Sequence, residues 1–132
     1  MILQGHTGPI SRAQFSLDGE HIVTASSDHT ARVWASADGR LVATLQGHTD
    51  DVVGAQFSPD GQRIVTAGSD NTARVWNAAD GRLLATLQGH SGSVQIAEFS
   101  PDGQRVVTAS ADQTVRVWQV LTLDDISRIL AK

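Results

Sequence analysis

The chain has 132 residues, the size of one domain, and a formal charge of −4 with ten basic residues, nine of them scattered arginines. No polycationic face of the kind a phosphate backbone requires can be drawn from it, so nucleic acid is excluded as a first reading. The absence of cysteine excludes a disulfide framework, thiolate metal ligands and a cysteine nucleophile, and it fits a reducing, cytoplasmic setting.

The start, MILQGHTG, lacks the charged beginning and apolar run of a signal peptide. No uninterrupted apolar stretch approaches the roughly 18 residues of a membrane span, so the expectation is a soluble chain without a membrane partner. In chain order the first signals are Gly5-His6, the segment TGPISR, Phe15 and the pair Asp18-Gly19. A β-branched run, EHIVTAS, follows; then Asp28, TARVW ending at Trp34, the pair Asp38-Gly39, and RLVATL.

The same succession returns from Gly47-His48 through Trp76 and RLLATL, and again from Gly89-His90 as far as Trp118, always at an interval of 42 residues. A period of that length suits helical repeats of the HEAT type as well as four-stranded blades, so its content decides. The runs are β-branched, of strand length, and separated by turn residues. Asp-Gly pairs between them are the turns in which glycine supplies a positive φ. Each unit therefore reads as four short antiparallel strands.

Taken together, Gly-His, Phe-Ser-Pro-Asp-Gly and Asp-x-Thr-x-x-Val-Trp at constant spacing resemble the WD-repeat β-propeller family, from Leu3 to Trp118. The resemblance implies an all-β fold, a partial propeller with repeats at 3–44, 45–86 and 87–120; with the residues after it, 121–132, read as a helical tail, the chain is one domain over 1–132. It also implies a structural hydrogen-bond network in each repeat. The members are His6, Thr24, Asp28 and Trp34; His48, Thr66, Asp70 and Trp76; and His90, Thr108, Asp112 and Trp118. The aspartate that follows the tryptophan in the family pattern is replaced by Ala35, Asn77 and Gln119.

Sharper readings of these residues fail on chemistry. Three histidines on successive blades of a propeller are rotated apart and do not converge on one ion. A His-Thr-Asp set mimics a catalytic triad, but three identical copies beside a tryptophan indicate structure, because a triad is recognised by roles and geometry. His21 and His29 depart from their counterparts Arg63 and Asn71 and are read as surface residues flanking turns. Asp50-Asp51 lacks the alternating oxygen spacing of a calcium loop and is read as an exposed turn. There is no phosphate-binding glycine loop with a following lysine. The expectation is a non-enzymatic chain with no cofactor and no metal.

Differences between the copies concentrate in TGPISR, TDDVVG and SGSVQI, at the ends of the innermost strands. Variation inside a constant frame is where binding specificity can reside, which makes Arg12, Asp50, Asp51 and Gln95 candidates for a partner surface.

Three blades do not close a ring, since propellers typically use four to eight. On the period Met1 corresponds to Ala43, so MIL supplies only a stub of an outer strand, and no outer strand is evident for the third unit unless VLT provides it. Thr122, Asp124 and Asp125, with Leu123, Ile126 and Leu130 on one face, predict a short amphipathic helix of about three turns with an acidic start, resting on its own blade. Head-to-tail association resolves the open edges, with a trimer of nine blades preferred to a dimer of six.

The resemblance implies a scaffold for protein–protein interaction, and the open edges add the expectation that it completes its ring by self-association. The alternatives are a purely structural oligomerisation module and the C-terminal sensor part of a larger bacterial signalling NTPase.

Overall fold

The computed structural model describes residues 1–131. Among the described residues eleven strands follow the repeat and one helix comes after them. The first sheet is β1 (Ile10–Phe15), β2 (His21–Ser26), β3 (Thr30–Ala35) and β4 (Leu41–Gln46); the second is β5 (Val52–Phe57), β6 (Arg63–Gly68), β7 (Ala73–Asn77) and β8 (Leu83–Leu87). The third has only β9 (Val94–Phe99), β10 (Arg105–Ser110) and β11 (Val115–Gln119). Paired neighbours are antiparallel throughout. VLT forms no strand, so the third blade lacks its outer member.

Turn chemistry sets the strand ends. Gly19, Gly61 and Gly103 take φ of 75°, 74° and 72°, and the preceding aspartates fold back on their own turns. Asp18 Oδ1 accepts from Ser16 Oγ at 2.6 Å and from the Glu20 N–H at 2.9 Å, and Asp60 and Asp102 repeat both contacts. The turn after the second strand carries a feature that its composition did not reveal: His29, Asn71 and Gln113 have φ of 75°, 72° and 71°. This left-handed region is tolerated there because the aspartate before each of them ties down the threonine after it.

Each innermost strand carries a bulge, with Ser11, Val53 and Gln95 skipped in the pairing.

The core lies between the sheets. Val23, Ala25, Ala31, Val33 and Leu45 of the first blade pack on Val52, Ala55, Ile64 and Trp76 of the second. Val65, Ala67, Ala73, Val75 and Leu87 of the second pack on Val94, Ala97, Val106 and Val120 of the third. Small and β-branched residues dominate this position because the sheets meet face to face at close packing. Two outer faces are left uncovered. Val75 is 2% exposed while its repeat partner Val117 is 62% exposed, and Val52 is 0% exposed while Ile10 is 50% exposed.

At the N-terminus no strand is assigned before Ile10. A Cβ added to Gly39 would nevertheless meet Met1 Sδ and Leu3 Cδ2, just as one added to Gly81 would meet Ala43 and Leu45. The stub therefore tracks the course of an outer strand.

The tail differs from expectation. Helix α1 (Leu123–Leu130) has eight residues, just over two turns rather than three. Thr122 caps it in a reciprocal box with Asp125, whose carboxylate accepts from the Thr122 N–H at 2.9 Å. Asp125 is buried, whereas Leu123, Ile126, Ile129 and Leu130 remain exposed. The cap sets where the helix starts, and its apolar residues stay exposed. No helix among the described residues is long and apolar enough to cross a membrane.

Candidate functional site

The three predicted networks assemble with the same geometry. In the second blade His48 Nδ1 lies 2.8 Å from Asp70 Oδ2, His48 Nε2 lies 2.7 Å from Thr66 Oγ1, and the Trp76 indole N–H donates to Thr66 Oγ1 across 2.9 Å. The first blade joins His6, Asp28, Thr24 and Trp34 at 2.8, 2.6 and 2.9 Å. The third joins His90, Asp112, Thr108 and Trp118 at 2.8, 2.7 and 2.9 Å. One proton arrangement satisfies the chain: indole N–H to threonine oxygen, threonine O–H to imidazole Nε2, and imidazole Nδ1–H to carboxylate.

In the second blade the electrostatics favour a neutral imidazole beside an ionised carboxylate. Burial pushes His48 below its ordinary value of 6.5, against the opposing pull of Asp70. Burial works to raise Asp70, but hydrogen bonds from Thr72 and His48 outweigh it and hold the carboxyl low. Asp28 is lowered through Thr30 and His6 in the same way, again against burial. Asp112 is lowered first by Thr114 and then, against some desolvation, by His90. The threonine hydroxyls lie inside the blades, with Thr66 and Thr108 0% exposed. In that position each hydroxyl joins the loop histidine to the second and third strands of its own blade.

The loop residues proposed as a partner surface are spread over three blades. Arg12 and Gln95 are exposed on the innermost strands of the first and third blades, and Gln95 is a bulge residue. Asp50 is exposed, Asp51 is half-buried, and Asp50 Oδ1 accepts from the Asp51 N–H at 2.7 Å. His29 of the first blade joins this pair: one ligand atom from each of the three lies within 4.8 Å of the others. Residue-by-residue reading separated them, because the turn after Asp28 and the loop before β5 meet only across a blade junction. They are the group among the described residues with donors suited to a cation. At the next junction the equivalent residues are Asn71, Gly92 and Ser93, which offer no carboxylate.

A junction residue escaped sequence reasoning. The Arg63 guanidinium is buried between the second and third blades, where Nη1 donates to the Val120 carbonyl and Nη2 to the Gly103 carbonyl, each at 2.6 Å. Its Cζ lies 5.1 Å from the centre of the Phe99 ring. At the preceding junction His21 holds the corresponding place, and a cavity of about 430 Å³ lined by His21, Phe57, Gly61 and Ala78 opens there. In the third blade the same position is Arg105, which is exposed.

The family model for the WD domain, G-beta repeat, matches the chain three times, over residues 1–35, 39–77 and 81–119. A WD repeat-containing protein of Synechocystis sp. is 50% identical over 44 residues, which is 33% of this chain and 13% of that protein. A bromodomain and WD repeat-containing protein of Dictyostelium discoideum is 42% identical over 45 residues, 34% of this chain and 2% of that protein. The chain thus spans a small fraction of the length of these relatives.

Proposed function

The chain belongs to the WD-repeat family, and from that premise we propose that it is a non-enzymatic, cytoplasmic scaffold for protein–protein interaction that completes its ring with copies of itself. One observation carries the reading. The uncovered face of the third blade, with Val107, Val115 and Val117, repeats the face that the second blade buries against the third. The uncovered face of the first blade, with Ile10, Ala13 and Phe15, repeats the face that the third presents to the second. Each open face is therefore one half of a contact the chain already makes, and a second copy supplies the other half.

Residues 1–132 act in this reading as one partial domain, divided at 44, 86 and 120. Three copies closing on nine blades is the preferred ring, because a wider ring relieves crowding at the centre; two copies on six blades is the other closed form. Arg12, Asp50, Asp51 and Gln95 lie on the variable loops and innermost strands and are assigned to the partner surface. Light scattering across a dilution series tests the assembly: a species of three or two chain masses that persists on dilution supports it, and a monomer throughout overturns it. Alanine substitution of the four loop residues tests the surface, and unchanged capture of an identified partner removes them from it.

The lengths of the relatives support a second reading, in which these blades are part of a longer propeller chain that supplies the missing neighbours in cis. In that case the isolated chain is monomeric or aggregates through its open faces.

A further inference from the structure

We propose that Arg105 of one copy clamps the first blade of a second copy, its guanidinium donating to the Gly19 and Ser36 carbonyls and lying over the Phe15 ring. The inference rests on the head-to-tail reading above and names the contact that would make it specific. Its template is within the chain. Arg63 reaches across to Gly103, Val120 and Phe99. Moving forward one period from Arg63 gives Arg105, and moving back two periods from Gly103, Val120 and Phe99 gives Gly19, Ser36 and Phe15.

The parts needed are free and chemically suited. Arg105 is exposed, and Phe15 is 67% exposed although the equivalent Phe99 is half-buried under Arg63. The Gly19 carbonyl accepts one bond, from Ser36 Oγ at 2.6 Å, and a carbonyl oxygen has a second lone pair for the guanidinium. The planar fork of arginine spans two carbonyls while its face covers an aromatic ring, which neither lysine nor histidine can do.

Of the three equivalent positions one is histidine and two are arginine, Arg63 within the chain and Arg105 at its open face. Within the chain the blades are covalently joined, so the junction between the first and second tolerates His21 and a cavity. A junction between separate chains must overcome the loss of translational and rotational freedom. The third blade, which would make that junction, carries the arginine.

The experiment is equilibrium sedimentation of the full chain as wild type, Arg105→His and Arg105→Lys. Histidine is the residue the first blade carries at this position, and the Arg105 side chain, unlike its backbone, makes no hydrogen bond within its own chain among the described residues, so circular dichroism of the variants should match wild type. The expected result is an associating wild type and an Arg105→His variant that dissociates at about tenfold higher concentration or more, the loss of charge-assisted hydrogen bonds to the partner carbonyls. Arg105→Lys, which keeps the charge without the fork, should be weakened too. An associating wild type whose dissociation curve is unchanged in Arg105→His overturns the clamp and leaves head-to-tail assembly standing. A wild type that is monomeric at every concentration overturns both.

Discussion

The Trp76 indole N–H donates to the fully buried Thr66 hydroxyl across 2.9 Å, and the same oxygen lies 2.7 Å from His48 Nε2. One hydroxyl thus satisfies two buried partners on two different segments. Thr66→Val keeps the shape and removes both bonds, leaving an indole donor and an imidazole acceptor in a dry site. At about 1–3 kcal/mol for each stranded group, the substitution should cost about 2–4 kcal/mol in urea unfolding. Thr108→Val should cost less, because Trp118 is half-buried and its bond to Thr108 is only partly shielded from solvent. Equal losses would show that burial does not set the size of the effect.

Acid should weaken the fold in two stages, and the sign follows from direction alone. His48 is depressed below 6.5 by burial, so the unfolded chain takes up its proton first and stability falls as pH drops through 6.5 towards the lower folded value. Asp28, Asp70 and Asp112 are all held below 3.8. Their contribution is complete above that value and is lost as pH falls beneath it. Urea midpoints across the range should decline below about pH 6.5 and again below about pH 4. His48→Asn should remove most of the first decline and leave the second, and a variant retaining the full first decline would place that titration elsewhere.

Much of this architecture is readable in the residue string, because the same types recur at the same spacing and each network closes within one period. His48, Thr66, Asp70 and Trp76 all lie inside a single repeat. Contacts that cross a junction are hidden for the same reason. Arg63 finds its carbonyl partners 40 and 57 residues away, and nothing local to the arginine distinguishes a clamp from an exposed strand end. His29 meets Asp50 and Asp51 only through the packing of the first two blades. The tail fails differently: Leu123, Ile126 and Leu130 share a helical face, but periodicity says nothing of whether a surface is there to receive it, and the buried residue is Asp125.

The cavity beside His21 offers a test by construction. His21→Arg places at the first junction the residue that occupies the second, with the Gly61 and Ala78 carbonyls and the Phe57 ring in the positions that Gly103, Val120 and Phe99 take around Arg63. Filling the space and adding hydrogen bonds should stabilise the fold by about 1 kcal/mol, a rise of a few degrees in thermal midpoint. The reverse change, Arg63→His, should lower the midpoint. If both substitutions lower it, the two junctions are not equivalent, and the first accommodates histidine for a reason of its own packing.

Val117 separates the fold from its assembly. It is 62% exposed on β11, while its equivalent Val75 is 2% exposed beneath the third blade. A lysine at Val75 would bury a charge without a partner and should unfold the chain. At Val117 the same lysine faces solvent in a single copy and should change stability by less than about 0.5 kcal/mol. It blunts the open sheet against edge and face pairing. Val117→Lys should therefore leave the circular dichroism spectrum and thermal midpoint of the dilute chain near wild type and shift light scattering towards the monomer mass. A variant that still associates like wild type would show that the third blade's open face is not the surface through which copies meet.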